Sequence, residues 1–134
     1  MNGNGMNNYK IWDILKAKIY YQDTNKYKIR PIILLDGING IYLTLKITSN
    51  IKRNGLEEYQ IIDWQNAGLT KPSNIRLSKL ILLPQDYIIE KYGILQLNDR
   101  IKMVKQLKDF SIAYNTYYSR DIISKLEKRI DENL

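Results

Sequence analysis

Apolar and polar residues alternate with the two-residue period of a β-strand through much of the first 95 positions. The segment 41–49, IYLTLKITS, places Tyr42, Thr44, Lys46 and Thr48 on one face and Ile41, Leu43, Leu45 and Ile47 on the other. A second apolar run, IRPIILLDG at 29–37, precedes it, and the sequence GING at 37–40 has the composition of a tight turn. The pattern therefore predicts a β-hairpin.

Further strands are expected on both sides of this hairpin. Residues 9–21 fit either a strand or a short helix, and their terminal β-forming residues favour a strand. The segments 57–64 and 75–84 are predicted to be strands, with a long polar connection between them. Residues 84–97 predict a short helix or turn followed by a small strand.

The period changes to that of a helix after Asn98, which is a plausible N-cap. The predicted buried face of this helix consists of Ile101, Val104, Leu107 or Lys108, and Ile112. The basic residues of DRIKMVKQLKDF, at 99–110, are expected on the opposite, solvated face. A second helix is predicted after Ser119, its candidate cap, with the apolar residues Ile122, Ile123, Leu126 and Ile130. Strands followed by helices predict an α+β protein with a strongly bent sheet or small barrel.

The composition supports one folded domain. The chain has 134 residues, of which 44% are hydrophobic. The polar segment MNGNGMNN at 1–8 is expected to be a disordered leader. No apolar stretch approaches the roughly 18 residues of a membrane span, and no secretory signal is recognisable. We therefore expect a cytoplasmic protein without a membrane partner.

The chain contains no cysteine and no histidine. This absence excludes thiol nucleophiles, Ser-His-Asp triads and histidine acid–base pairs, and it removes the preferred ligands of zinc and iron–sulfur clusters. A hard cation bound by carboxylates is the one kind of metal site that this composition leaves plausible. We expect no cofactor, and the candidate site residues named below include no metal ligand. Lys and Arg total 21 against 14 Asp and Glu, and the 11 tyrosines could stack on bases. The balance is compatible with nucleic-acid binding, although a generally lysine-rich surface would give the same composition.

Polar residues lie at the two ends of the predicted hairpin that would be adjacent. Arg30 and Pro31 open its first strand, and Thr48 and Ser49 close its second strand. A hairpin returns its second strand beside the start of the first, so Arg30 and Thr48 are predicted to meet across the ladder.

Several motifs occur together in one order. The segment WDILKAKI at 12–19 is followed by Arg30-Pro31, by ITSN at 47–50 and by GLTKPSNIRLSKL at 68–80. In this combination the chain resembles, over about residues 9–113, the MazF/PemK (Kid-like) toxins of bacterial type II toxin–antitoxin modules. It departs from them in three places: Trp12 replaces a common glycine, the loop at 22–26 is short, and the chain continues beyond about Asn115.

The resemblance implies an SH3-like barrel at 9–114 with a C-terminal helix, a helical extension at 115–134, and a homodimer. It implies an endoribonuclease that cleaves single-stranded RNA without a metal, using the ribose 2′-hydroxyl as nucleophile. The products would be a 2′,3′-cyclic phosphate and a 5′-hydroxyl, and a cognate antitoxin would fill the RNA groove. Two alternatives remain: a gyrase-poison-like toxin of the same fold, or an RNA-binding module without activity.

The resemblance assigns the catalytic pair to Arg30 and Thr48. A guanidinium can hold two phosphate oxygens at once and stays charged, which suits a transition-state clamp. A threonine hydroxyl is a poor base, so Thr48 is expected to form a hydrogen bond with the 2′-hydroxyl or the phosphate. The RNA-binding candidates are Lys28, Lys46, Ser49, Lys52, Arg53, Lys71, Ser73 and Arg76. Of these, Arg76 could equally support the fold.

The remaining aromatic and acidic candidates have structural roles as their main alternative. Tyr20, Tyr21, Tyr27 and Tyr59 could stack on bases or pack within the sheet. Trp64 is expected in the core or at a dimer interface, and Asp63 could orient Arg30 or form a turn.

Overall fold

The computed structural model describes residues 9–114 and 120–133, which form six strands followed by two helices. The strands are β1 (Asp13–Tyr20), β2 (Tyr27–Ile38), β3 (Ile41–Thr48), β4 (Glu58–Gln60), β5 (Asn74–Pro84) and β6 (Ile88–Ile94). The helices are α1 (Leu97–Tyr114) and α2 (Arg120–Lys128). The predicted leader at 1–8 and the predicted cap Ser119 lie outside the described residues. No helix within the described ranges has the length and apolar character needed to span a membrane.

The strands form one antiparallel sheet in the order β4-β5-β3-β2-β1-β6. The predicted hairpin is present as β2 and β3, joined by Asn39 and Gly40. Both residues have positive φ angles, 52° and 80°, as a type I′ turn requires. The α+β class and the arrangement expected for an SH3-like barrel are confirmed. The edge strands β4 and β6 do not pair in the described part of the chain, so the curved sheet stays open.

Both faces of the central strands are buried, which explains the uninterrupted apolar run in β2. The larger core lies beneath the two helices and includes Ile14, Ile33 and Leu45. A smaller core on the opposite face contains Leu15, Ala17, Ile32, Leu34, Tyr42 and Leu83. The face of β3 that was predicted to be polar is therefore partly apolar. Tyr42 and Thr44 are buried there, and the Thr44 hydroxyl donates to the carbonyl of Ile81 at 2.8 Å.

Helix α1 begins before Asn98, so the predicted N-cap is wrong, and its buried face differs from the predicted one. Its buried residues are Asp99, Arg100, Met103, Val104, Leu107 and Phe110. Ile101 and Ile112 are 48% and 76% exposed, although the apolar pattern assigned both to the core. The pattern failed because the helix is oriented by two buried charged residues, Asp99 and Arg100, which periodicity assigns to solvent.

Asp99 holds the connection after β4 in place. Its carboxylate accepts hydrogen bonds from the Tyr59 hydroxyl at 2.5 Å and from the backbone N–H groups of Ile62 and Asp63 at 2.8 and 2.9 Å. Burial, together with Asp99, raises the pKa of the Tyr59 phenol. Tyr59 is thus a packing residue. Asp63 accepts from the Asn66 side-chain amide, as the turn alternative predicted.

The chain after α2 packs against Trp12 and Arg100, and we call these contacts with residues 129–132 the tail clasp. Trp12 is fully buried with φ 76°, a left-handed conformation that favours glycine. Its indole N–H donates to the Arg129 carbonyl at 2.7 Å, and the Arg100 guanidinium lies 5.5 Å from its ring centre. Arg100 donates to the carbonyls of Leu95 at 2.6 Å, Ile130 at 2.7 Å and Glu132 at 2.6 Å. Two of the departures from the resembling family, Trp12 and the C-terminal continuation, therefore contact each other.

The C-terminal helix also contributes to the main core. Ile123 and Leu126 of α2 are buried in the larger core, and Ile122 and Ile130 pack against it. A division of the chain at residue 115 stays a prediction.

Candidate active site

Arg30 and Thr48 line one cleft of about 290 Å³. The lining residues are Arg30, Pro31, Ile47, Thr48, Ser49, Gly68, Leu69, Thr70, Lys71, Ser73 and Tyr92. Five of the predicted site residues thus surround one cavity, which we call the Arg30–Thr48 cleft. A larger cavity of about 400 Å³ between the β2–β3 turn and the C-terminal tail includes none of them.

The sheet register brings the two ends of the hairpin together. Ile32 pairs with Lys46, and continuing that antiparallel register by two residues leads to Arg30 and Thr48. Thr48 is also paired with Asn74 at the start of β5. The apolar residue Ile32, which is fully buried, lies beside this point and belongs to the smaller core. The cleft therefore begins where a packed part of the sheet ends.

The hydroxyl of Thr48 has one internal hydrogen bond. Its oxygen accepts from the backbone N–H of Asn50 at 3.1 Å, in the turn that follows β3. A hydroxyl that accepts in this way still has its own proton to donate. The Thr48 hydroxyl donates to no acceptor among the described residues, so its proton is available to a ligand in the cleft.

The face of the sheet that carries Arg30 is strongly basic. Burial lowers the pKa of Lys46, and the neighbouring charges of Arg30, Arg76, Lys79 and Lys28 lower it further. Lys28 and Lys46 therefore lie close to Arg30, as their positions in the strands predicted. No carboxylate in residues 9–114 or 120–133 forms an ion pair with Arg30. Lys28 and Lys46 likewise form no ion pair with a described carboxylate, so these three neighbouring cations favour an anionic ligand.

Of the other predicted residues, two have partners within the protein and two are exposed outside the cleft. Arg76 forms an ion pair with the buried Glu58 at 3.0 Å, which supports the fold. Ser73 is buried and donates to the Lys71 carbonyl at 2.9 Å, so its hydroxyl shapes the wall of the cleft. Lys52 and Arg53 are exposed and lie outside the lining of the cleft.

Two glycines bring the opposite wall into position. A Cβ atom on Gly68 would lie 2.2 Å from the Tyr92 carbonyl oxygen, and one on Gly93 would lie 2.2 Å from the Ala67 carbonyl oxygen. The two backbones therefore cross without room for a side chain, which holds the 61–73 connection against β6. Tyr92, Leu69 and Thr70 enter the cleft in this way, and none of them was predicted. The sequence signal that could have predicted this contact is Gly93, because a glycine inside a strand often marks a close backbone approach.

The remaining tyrosines form a separate cluster at the β1–β2 loop. The ring of Tyr20 lies 5.2 Å from that of Tyr27 and 5.0 Å from that of Tyr87. Lys18 covers Tyr27 at 5.0 Å, and Lys28 covers Tyr21 at 5.7 Å. These rings have partners within the chain. Trp64 packs against the larger core, as one of its two predictions stated.

Comparisons of sequence give no match: no protein-family model fits the chain, and no protein of curated function is recognisably similar to it. Comparisons of structure do find relatives of the fold. The Mycobacterium tuberculosis toxin MazF-mt6 is 17% identical with a TM-score of 0.61, covering 79% of this chain and 99% of that one. MazF in a MazE–MazF structure from Deinococcus radiodurans is 13% identical with a TM-score of 0.61, covering 76% and 94%.

A third structure is an endoribonuclease in complex with its cognate antitoxin from a mycobacterial species. It is 10% identical with a TM-score of 0.60, and the match covers 81% of this chain and 97% of that one. The six-stranded curved sheet with its C-terminal helices is therefore the fold of the MazF toxins. The resemblance inferred from the motifs is confirmed at the level of the fold.

Proposed function

We propose that this protein is a toxin-type endoribonuclease that cleaves single-stranded RNA without a metal. The observation that carries the proposal is that Arg30 and Thr48 line one cleft on a fold shared with MazF toxins. The cations Lys28 and Lys46 lie on the same face and would hold the RNA backbone. Lys71 and Ser49 line the cleft and would contact neighbouring phosphates, with Lys52 and Arg53 farther along the strand.

Arg30 is proposed to stabilise the charge that develops on the phosphate. When the 2′-oxygen attacks phosphorus, negative charge increases on the non-bridging oxygens, and a guanidinium can donate to two of them. Because Arg30 has no ion pair with a described carboxylate, its donors are available to a ligand. Pro31 restricts the backbone next to it and so helps to preorganise the side chain.

Thr48 is proposed to donate a hydrogen bond to a phosphate oxygen and so to fix the in-line geometry. The Asn50 N–H occupies one lone pair of its hydroxyl oxygen and orients the group. In the proposed reaction the 2′-hydroxyl proton passes to water as the P–O2′ bond forms. The P–O5′ bond breaks, and the 5′-oxygen takes a proton from water. The products are a 2′,3′-cyclic phosphate and a 5′-hydroxyl.

A protein antitoxin and a second copy of the chain are proposed as partners. Two of the structures with this fold are described as toxin–antitoxin assemblies, one of them MazE–MazF and the other an endoribonuclease with its cognate antitoxin. An antitoxin segment that covers the Arg30–Thr48 cleft would block access of RNA. The net charge of +7 favours an acidic segment for this purpose.

The decisive experiment is cleavage of a long single-stranded RNA by the purified protein in excess EDTA, with the ends mapped chemically. We expect discrete cuts with cyclic-phosphate 3′ ends. Arg30→Ala should lower the rate at least about 100-fold, as expected for losing a transition-state donor. The matched control is Arg120→Ala, since Arg120 is exposed on α2 and lies outside the cleft.

Three outcomes would overturn the proposal. These are the absence of cleavage with every RNA tested, a requirement for added magnesium, and full activity of Arg30→Ala. In the second case the metal would have taken the role assigned to the guanidinium.

A further inference from the structure

Tyr92 is the single aromatic side chain among the described residues that line the Arg30–Thr48 cleft. It is 38% exposed, so part of the residue remains accessible to solvent. Neither the composition nor the motifs of the chain singled it out. It lines the same cleft as Arg30 and Thr48, so its ring is placed beside the arginine proposed to bind phosphate.

A β-bulge sets the direction of Tyr92. Ile14 of β1 pairs with Gly93, and the next residue, Leu15, pairs with Lys91. Tyr92 is therefore the extra residue of β6, without a partner on β1. A bulge of this kind changes the direction of a side chain, and such bulges are frequent next to active sites.

The backbone at Tyr92 is fixed from the other side as well. Its carbonyl oxygen lies against Gly68, where a Cβ atom would approach it to 2.2 Å. The bulge and this crossing together fix the backbone from which the ring projects. The backbone therefore needs no rearrangement when a ligand packs on the ring, which favours binding.

Among the exposed tyrosines of the described residues, each one except Tyr92 has either a second ring or a lysine over it. Tyr20 packs on both Tyr27 and Tyr87, and lysines cover Tyr21 and Tyr27. In the described part of the chain neither a ring nor a cation is recorded over Tyr92. A partly exposed aromatic ring without such a partner, next to a cationic cleft, is an arrangement suited to an unstacked nucleobase.

We propose that Tyr92 stacks on the base of a nucleotide that flanks the phosphate held by Arg30, and that it thereby positions single-stranded RNA in the cleft. The inference rests on the proposed function, because it takes the anion in the cleft to be an RNA phosphate. Tyr92 is a positioning residue in this scheme. It acts on binding and alignment, whereas Arg30 acts on the charge of the transition state.

The test measures binding separately from cleavage. The probe is single-stranded RNA of mixed sequence with 2′-fluoro sugars, which lack the nucleophilic hydroxyl, and with 2-aminopurine placed at successive positions. Stacking on a tyrosine quenches this fluorescent base. We expect quenching at one position with the wild-type protein and with Tyr92→Phe, and its loss with Tyr92→Leu. The affinity of Tyr92→Leu should fall about 10-fold to 100-fold, the range found for one stacked base.

The control variant is Ile89→Ala. Ile89 is the second unpaired residue of β6, is 40% exposed, and does not line the cleft. The Ile89→Ala protein should bind the RNA and quench the 2-aminopurine as the wild type does. An abasic nucleotide at the quenched position should remove the difference between wild type and Tyr92→Leu, because the stacked base is then missing.

The outcomes separate this inference from the proposed function. If the wild type cleaves RNA but Tyr92→Leu binds and quenches like the wild type, the inference is wrong and the proposed function stands. If the wild type cleaves no RNA but loses binding and quenching in Tyr92→Leu, the proposed function is wrong and Tyr92 is a base-binding residue. Absence of binding and quenching in the wild type overturns the inference directly.

Discussion

Arg30 and Arg100 are two arginines in contrasting environments. Arg100 is fully buried in the tail clasp, and three backbone carbonyls accept from its guanidinium. Arg30 is half-buried at the edge of a cleft and has no ion pair with a carboxylate in the described part of the chain. The first arginine is therefore part of the structure, and the second is available for a ligand.

The same contrast separates two tyrosines. Tyr59 is buried, and its hydroxyl donates to Asp99. Tyr92 is partly exposed in the cleft, and no ring packs on it among the described residues. In this protein the residue type does not distinguish structure from function. Arg30 and Tyr92, the residues proposed to bind RNA, differ from Arg100 and Tyr59 in the number of their internal partners. That number is visible only after the chain has folded.

The largest effect should come from removing the residues that complete the tail clasp. A chain ending at Lys128 loses two of the three Arg100 acceptors and the acceptor of the Trp12 N–H. A buried charge would then remain poorly satisfied, so we expect the free energy of unfolding to fall by about 3–5 kcal/mol. Urea denaturation of the two chains would measure this difference.

A double-mutant cycle tests whether Arg100 is the cause. In an Arg100→Met background the same deletion leaves no buried guanidinium without acceptors, so its cost should be smaller by at least about 1 kcal/mol. An equal cost in both backgrounds would mean that the tail stabilises the protein by other contacts. Cleavage by the folded fraction at low temperature should be retained, in contrast to Arg30→Ala.

A smaller effect is expected from removing one hydroxyl in the cleft. Thr48→Val keeps the shape of the side chain but removes the proposed donor, so kcat should fall about 10-fold to 100-fold. Thr48→Ser should stay within a few-fold of the wild type. The matched control is Thr44→Val on the same strand and face, because the Thr44 hydroxyl donates inside the protein to Ile81.

Thr48→Val should mainly lower kcat, whereas Thr44→Val should mainly lower stability. Thr44→Val is expected to lower the free energy of unfolding by about 1 kcal/mol, since it removes the hydrogen bond from the Thr44 hydroxyl to the Ile81 carbonyl, and to leave kcat unchanged. Steady-state kinetics and urea denaturation on both proteins would show this. If Thr48→Val lowered only the stability, the Thr48 hydroxyl would have a structural role, which is to accept the hydrogen bond from Asn50 in the turn.

The sequence predicted much of the sheet, including the hairpin whose two ends lie at the Arg30–Thr48 cleft. The two-residue period and the turn at Asn39 and Gly40 are local features, and register follows from them. The motif order added the fold of the MazF toxins, which composition alone did not indicate.

The parts that could not be predicted depend on contacts between distant segments. Periodicity assigned Arg100 to solvent, yet its acceptors come from residues 130 and 132. Tyr92 reaches the cleft through a bulge against β1 and a backbone crossing with Gly68. Neither contact leaves a periodic signal in the sequence, because each depends on which backbone atoms meet in the folded chain.

The smallest predicted effect concerns an exposed link between the hairpin and α2. Lys125 donates to the Asp36 carboxylate at 2.9 Å, and the two side chains are 57% and 33% exposed. Burial raises the pKa of Asp36, but hydrogen bonds from Lys125 and the Gly37 N–H, with the charges of Lys125 and Arg129, lower it overall below its ordinary 3.8. A lowered carboxyl pKa stabilises the fold above pH 3.8, and this contribution is lost as the pH falls through the folded-state pKa.

Lys125→Met should therefore destabilise the protein at pH 7 by only about 0.5 kcal/mol, because solvent screens an exposed pair. The difference should shrink as the pH is lowered from ~7 toward ~2, because protonation of Asp36 removes the charge that attracts Lys125. Lys105→Met on the exposed face of α1 is the control and should show no such pH dependence. The midpoints of urea denaturation at neutral and at low pH would measure this difference in stability. A loss that persists unchanged at low pH would mean that Lys125 acts by packing, as the buried residues of the tail clasp do.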